Sequence, residues 1–332
     1  MLQEEAGPPA QVAKLNIRCV NRLADLLRIP GERLLKLSAS PNSSYNPFDH
    51  TRPLRPFQKK PRSKPRQIDN PLDDLSWAQK RINRRLLAPI CFPEHIFGAV
   101  RQRSVLDNAE HHHGASLLVT IDVKQCFPSI TNKQVYSIWS DLLGCAPPVA
   151  ALLTRLTTFE RHLPQGAATS PLLANLCIWM IDEPIRQACK QLGVVYSTWI
   201  DDLAFSGQRA RDLIQIAADT LRINGLRISR KKIHIMGPHA TKMITGTRLG
   251  ADGIRAPSEK LSRIRSGTFK FELGLVSPDE TERYIKGLVA QLRFVHQLCP
   301  KDAVQYARKL RNAVRGRFLS APDKKFLTTV AS

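Results

Sequence analysis

The stretch YSTWIDDLAFSG (Tyr196–Gly207) sets Asp201 and Asp202 side by side in an otherwise apolar, aromatic-rich run. It reads as two short strands joined by a tight turn that carries the aspartates. Like charges in such a setting are costly unless a cation neutralises them. A third carboxylate, Asp122, stands near the end of ASLLVTIDV (115–123), a β-branched run that reads as a buried strand. Between strand and hairpin lie two helical patterns: NKQVYSIWSDLLG, closed by Gly144, and SPLLANLCIWMIDEPIRQACKQLG, one long helix from Ser170-Pro171 to Gly193. A further helix, ARDLIQIAADTLRINGL, follows the hairpin. The order strand–helix–helix–hairpin–helix–strand predicts a split β-α-β arrangement in which Asp122 meets Asp201 and Asp202.

Three converging carboxylates call for divalent metal. Mg²⁺ prefers hard oxygen ligands, and two such ions about 4 Å apart support in-line phosphoryl transfer. One ion activates the attacking hydroxyl and the other stabilises the leaving pyrophosphate. The three aspartates are the expected catalytic residues, and Asp122, Val123, Asp201 and Asp202 the expected metal set. An isolated Asp-Asp pair reads more readily as a loop or a cap, so its companions carry the meaning.

Charge points to the partner. Lys and Arg total 50 against 28 Asp and Glu in 332 residues, a formal net charge of +22. Solubility asks only about 2–8 of a small domain. The excess favours nucleic acid over an anionic membrane. No apolar run approaches the roughly 20 residues that span a bilayer, and the N-terminus lacks a signal-peptide pattern. Seven cysteines without a C-x-x-C pair fit reduced thiols in a cytoplasmic protein, most of them in cores, and no zinc site.

Elsewhere, residues 11–40 read as helical, stopped at Pro30-Gly31, and 41–66 as an extended or irregular basic segment. DDLSWAQKRINRRLLAPI reads as an amphipathic helix with Trp77, Ile82, Leu86 and Leu87 on its apolar side. KIHIMG and MITGTRL read as a hairpin, and the chain from 258 as basic helices.

IDVKQCFPSI, with Asp122 five residues before Phe127, LPQGAATSPLLAN and IDDLAFS resemble, in order and spacing, the palm motifs of reverse transcriptases. Upstream, KPRQIDNPLDDLSWAQKRINRRLL resembles the fingers segment R-x-I-x-x-P followed by a helix. Downstream, GLRISRKKIHI resembles the segment that ends in a lysine pair. DNAEHH (107–112) matches N-A-x-x-H through Asn108, Ala109 and His112, and ITG (244–246) is close to V-T-G, with Ile244 for Val. Both are features of retron reverse transcriptases, bacterial enzymes that copy part of a structured non-coding RNA into msDNA. The resemblance runs from about 60 to 325.

It implies an α+β, right-hand polymerase fold with fingers, ferredoxin-like palm and helical thumb. The expected boundaries are an N-terminal helical extension over 1–50, fingers and palm over 51–254, and thumb over 255–332. Lys64 and Arg66 would hold the triphosphate or the template backbone. Phe127 would exclude a ribose 2′-hydroxyl, or simply pack. Gln165 and Gly166 would close on the nucleotide, or only turn the chain into the helix. Lys232 would stand near the leaving pyrophosphate, or in a solvated basic turn. Trp199 holds the place where the family usually has Tyr, and would position the primer end or belong to the strand's core. Asn108 and His112, with Arg263 and Arg265 in the thumb, would bind RNA, a structural role being the rival for His112.

The implied activity is RNA-directed DNA synthesis with two Mg²⁺ per site, Mn²⁺ being a possible substitute. The implied partners are dNTPs, a cognate non-coding RNA, its 2′,5′-linked msDNA product, and a separate effector protein in anti-phage defence. No spare domain for an effector or for RNase H is expected. The alternatives are another bacterial reverse transcriptase, of the group II intron or diversity-generating type, and a catalytically idle RNA-binding scaffold.

Overall fold

A computed structural model describes residues 13–51, 65–251, 253–314 and 319–331. Packing divides the chain into two compact units: one made of residues up to Arg103 with Val119–Ile235, the other of Ser104–Leu118 with the residues from Met236 onward.

The first unit opens with two short helices, Val20–Leu27 and Gly31–Ala39. Gly31 therefore begins a second helix where the sequence suggested a stop. The first helix ends at Arg28 in the left-handed region, φ +52°. Its last carbonyls, on Leu26 and Leu27, accept hydrogen bonds from Arg85 at 3.0 Å and Arg81 at 2.8 Å. Both donors come from the next helix, Asp73–Ile82, and the π-helical turn Asn83–Leu87 that extends it. Leu75, Ala78, Ile82 and Leu86 form its buried face. Trp77 is not on that face. It is 36% exposed and lies under the guanidinium groups of Arg33 and Arg81, 5.2 and 4.5 Å from the ring centre.

Strands β1 (Tyr45–His50) and β2 (Arg66–Pro71) form an antiparallel pair, Tyr45 opposite Pro71 and His50 opposite Arg66. The main sheet contains β3 (Leu118–Asp122), β4 (Val195–Trp199), β5 (Asp202–Ser206) and β6 (His234–Met236) in the order β4-β5-β3-β6. The expected split arrangement is thus present, with the hairpin beside the Asp122 strand. The helix Ser170–Ile181 is apolar around most of its surface, with Leu172, Leu173, Leu176, Ile178 and Trp179 all buried. The predicted long helix is in fact two. It breaks at Asp182, and Glu183–Leu192 restarts with Pro184 in its first turn, where a missing N–H costs nothing.

The second unit holds an antiparallel sheet of β7 (Lys242–Ile244), β8 (Thr247–Gly250) and β9 (Gly253–Arg255). KIHIMG and MITGTRL are therefore not one hairpin: the first joins the main sheet as β6, and the second folds on itself as β7 and β8. Ile244 faces Thr247, and the two residues between them, Thr245 and Gly246, have φ of +44° and +76°. This is the I′ pattern that favours glycine at its second position. The helices Ser258–Glu272, Thr281–Leu298, Pro300–Val314 and Ala321–Ala331 follow. Ile285, Leu288, Val289, Leu292 and Val295 are buried at helical spacing in the second of them. Four of the seven cysteines, Cys126, Cys145, Cys177 and Cys189, are buried. Among the described residues no helix is long and apolar enough to cross a membrane.

The helix Val105–His111, opened by a Ser104–Asp107 capping box, belongs to this unit. Asn108 and His112 are each 1% exposed. Asn108 Nδ2 donates to Thr245 Oγ1 at 3.4 Å, so the N-A-x-x-H and I-T-G elements meet. Burial does not fit the direct RNA contact expected of these two side chains. Burial also pushes the His112 imidazole down to about 3, with a smaller contribution from His111. An unfolded histidine takes up its proton near pH 6.5, whereas the folded one stays neutral. Stability should therefore fall as pH drops from about 6.5 toward 3, by up to about 1.4 kcal/mol per pH unit. Urea melts between pH 7.5 and 5 check this: His112→Asn should show a shallower fall than the parent.

Candidate active site

Asp122 ends β3, and its neighbours are fixed through the backbone. The Val123 N–H donates to the Asp201 carbonyl at 2.8 Å, which ties the end of β3 to the turn between β4 and β5. On the other side, Ser229 N–H donates to the Asp122 carbonyl at 2.8 Å and Lys124 N–H to the Arg227 carbonyl at 2.7 Å. The Lys232 ammonium, in the one-turn helix Arg230–Lys232, donates to Asp122 Oδ1. In the hairpin, Trp199 pairs with Asp202, leaving Ile200 and Asp201 as the two loop residues. Ile200 has φ +59°. A β-branched residue is rare there, and such strain costs on the order of 1–3 kcal/mol.

Asp122, Val123 and Asp201 line one cleft of about 540 Å³ with Arg66, Phe127, Gln165 and Lys232. The Asp201 carboxyl is held above the usual carboxylate range, chiefly by burial. A backbone hydrogen bond opposes this, Asp122 adds to it, and Lys232 and Arg66 counter it. The Asp202 carboxyl is pushed up to about 6, by burial first and then by Asp201 and Asp122. These are crowded hard-oxygen donors short of positive charge, which suits a divalent cation. Among the described residues, no group of three or more His, Cys, Asp or Glu already has the arrangement of a metal site. Lys232 takes one carboxylate of the set instead.

The other expected residues fall out as follows. Arg66 starts β2 and Phe127 lies half-exposed in the short helix Cys126–Ser129, both on the cleft. Gln165 lines the cleft too, but Gly166 does not. Gly166, at φ +134°, lets its loop approach β2: a Cβ there would stand 3.0 Å from Ile68 Cγ2. Trp199 is half-buried and is not among the lining residues. Arg263 and Arg265 are exposed on the helix Ser258–Glu272 of the second unit, Arg263 paired with Glu259 at 2.9 Å. Lys64 lies outside the described residues.

Eight cleft residues were not expected, among them Asp69 and His162. Asp69 is 2% exposed. Its Oδ1 accepts from Gln67 Nε2 at 2.9 Å, its Oδ2 from the Gln165 N–H at 3.0 Å, and His162 Nε2 lies 3.5 Å from Oδ2. The Asp69 N–H in turn donates to the Gln165 carbonyl at 2.9 Å. Asp69 thus clasps β2 to the loop that presents Gln165. Its sequence signal is faint, a single acidic residue in the strand RQID.

Residues 57–260 match the family described as reverse transcriptase (RNA-dependent DNA polymerase). The chain belongs to the reverse transcriptase family. Its relatives include the retron Ec86 reverse transcriptase of Escherichia coli, 28% identical over 76% of this chain and 79% of that one. The retron Se72 enzyme of Salmonella heidelberg (strain 579083-10) is 29% identical over 58% of this chain and 49% of its own. The retron Mx162 enzyme of Myxococcus xanthus is 26% identical over 74% and 57%. This chain therefore spans about half the length of the second and third relatives. Reverse transcriptases use divalent metal ions, and the carboxylates of the cleft supply a fitting donor set.

Asp69→Ala should free the Gln165 loop. Losing hydrogen bonds to a buried charge costs about 1.5–3 kcal/mol each, so a lower melting temperature is expected. A KM for deoxynucleotide raised by about tenfold, with a smaller change in kcat, is also expected if the loop contacts substrate in binding. Steady-state extension assays beside thermal melts check both.

Proposed function

We propose that this chain is a retron-type RNA-directed DNA polymerase, which binds a structured non-coding RNA and copies part of it into DNA. The observation that carries the reading is the meeting of Asp122 with Asp201 in a cleft that also holds Arg66, Phe127, Gln165 and Lys232, with Asp202 next along the turn. The retron relatives support the choice within the family.

In this reading Asp122, Asp201 and Asp202, with the backbone at Val123, hold two Mg²⁺ ions, or Mn²⁺ in their place. The metal, when bound, activates the attacking hydroxyl and offsets charge on the leaving pyrophosphate. Arg66 and Lys64 take the triphosphate by charge and, for Arg66, by a bidentate fork. Lys232 exchanges its Asp122 contact for the pyrophosphate end. The Phe127 ring blocks a ribose 2′-hydroxyl, and the Gln165 amide hydrogen-bonds sugar or base. Trp199 offers a flat apolar surface to the primer end. Residues 51–254 serve as fingers and palm and 255–332 as thumb, preceded by the extension over 1–50. Arg263 and Arg265 hold duplex phosphates in a sequence-independent way. By analogy with the relatives, synthesis starts from the 2′-hydroxyl of an internal guanosine in the cytoplasm. The resulting msDNA acts with a separate effector protein in anti-phage defence.

Sequencing the nucleic acid that co-purifies with the expressed protein tests the retron reading; a branched RNA–DNA species is expected, and unbranched host RNA alone would count against it. Asp201→Asn should reduce extension to background while RNA affinity stays within about twofold, because the basic faces are untouched. Phe127→Ala should admit ribonucleotides, raising their incorporation relative to deoxynucleotides by on the order of a hundredfold, the scale of a lost steric or contact discrimination. Competition assays with paired nucleotides measure it, and unchanged selectivity in an active variant would make Phe127 a packing residue only.

A further inference from the structure

The turn that carries Asp201 and Asp202 rests on a segment far from it in sequence. Residues 95–98 run alongside β4: Thr198 N–H donates to the His95 carbonyl at 2.7 Å, Phe97 N–H donates to the Thr198 carbonyl at 2.9 Å, and Ile96 bridges Thr198 in parallel. The segment then passes beneath the turn at Gly98. A Cβ on Gly98 would stand 2.7 Å from both the Cγ1 and the backbone N of Ile200, and 2.9 Å from the carbonyl carbon of Trp199. Two of these three contacts are with backbone, so moving the Ile200 side chain alone would not make room. Ile200 is also the residue held in the left-handed region.

This strap is anchored by three side chains. Asn175, 1% exposed in the helix Ser170–Ile181, donates from Nδ2 to the Gly98 carbonyl at 2.6 Å. Among the described residues its buried Oδ1 has no hydrogen-bond partner, so the polar role seen for this side chain is the one donation. Asp182, fully buried, takes the His95 ring at 2.9 Å and Arg186 at 3.0 Å. The Arg103 guanidinium donates to the carbonyls of Phe92, Pro93 and Ile96. Beyond Gly98, Ala99 and Gln102 have φ of +58° and +61°, so the strap leaves the turn through two further strained residues.

We propose that Gly98 and Asn175 are positioning residues for catalysis: together they press the strap against the Trp199-Ile200 backbone and so fix where Asp201 and Asp202 stand. The proposal rests on the polymerase reading of those aspartates. Neither residue lines the cleft, and both are buried. Their effect passes through the geometry of the turn, where a displacement of about 1 Å can cost a hundredfold in rate.

The test uses the full chain with an oligo(dT)-primed poly(rA) template and Mn²⁺ as the metal probe. Gly98→Ala should lower kcat for single-nucleotide extension by about a hundredfold, while primer–template affinity stays within about twofold. Mn²⁺ binding, followed by electron paramagnetic resonance in the absence of nucleotide, should weaken by about tenfold, because the ligand carboxylates no longer converge. Asn175→Ala, which introduces no clash, should move both readouts in the same direction by a smaller factor. Adding Ile200→Gly to Gly98→Ala should recover part of the kcat, since the Cγ1 collision goes and glycine accepts the turn's φ. The proposal is overturned if Gly98→Ala or Asn175→Ala folds and extends like the parent with unchanged Mn²⁺ binding. It is equally overturned if melting temperature, template binding and extension fall together and Ile200→Gly restores nothing, which is the signature of packing alone. A parent protein that extends no primer at all would instead fail the polymerase reading.

Discussion

One backbone hydrogen bond, from the Val123 N–H to the Asp201 carbonyl at 2.8 Å, joins the two parts of the chain that carry the proposed metal-binding carboxylates. It sets the end of β3 against a hairpin turn whose aspartates repel each other and Asp122. Coulomb repulsion between carboxylates grows steeply as water is removed, so the strands can converge only where cations can follow. Among the described residues, Lys232 and Arg66 counter part of the rise in Asp201. The remaining deficit is the physical reason a divalent cation suits this place. The apolar helix Ser170–Ile181 buries the flanking structure, and the strands deliver their carboxylates at a solvent-facing end.

Net charge of +22 is a coarse guide to the nucleic-acid surface because part of it is committed inside the fold. Arg81 and Arg85 cap the carbonyls of the first helix, Arg103 gathers three carbonyls in and just before the strap, and Arg33 and Arg81 cover Trp77. A guanidinium has five donors in a planar fork, which suits it to collect several carbonyls at once. Exposed arginines such as Arg263 and Arg265 remain as candidates for phosphate. Counting basic residues along a helix therefore overstates its anion-binding face.

The strands around Asp122 and the aspartate pair were legible because β-branched runs and a two-residue loop leave strong local patterns. The three aspartates, and Arg66, Phe127, Gln165 and Lys232 of the cleft, were picked out by motif order. What was not legible depends on partners distant in sequence. HIM and KMI have similar local patterns, yet one enters the main sheet and the other a separate one, a choice made by non-local pairing. Asp69 reads as an exposed strand charge until the Gln165 loop folds onto it. Gly98 reads as an ordinary loop glycine until the turn is laid across it. The break at Asp182 had a local signal in Pro184, but the apolar pattern on both sides masked it.

The N-A-x-x-H and I-T-G elements show how a diagnostic motif can be structural. Thr245 stands in a left-handed turn position that β-branched residues disfavour, and Gly246 follows it at φ +76°. Asn108 reaches Thr245 Oγ1 from a helix whose first turn is fixed by the Ser104–Asp107 capping box. Each element thus places the other: the cap orients the helix, the helix aims Asn108, and Asn108 meets the turn that closes β7 on β8. Burying Asn108 and a neutral His112 at such a junction removes both from contact with a polyanion, since a side chain 1% exposed has no surface to offer phosphate or base. Any contact this unit makes with a polyanion must then come from exposed groups around the junction, with the buried pair setting their placement.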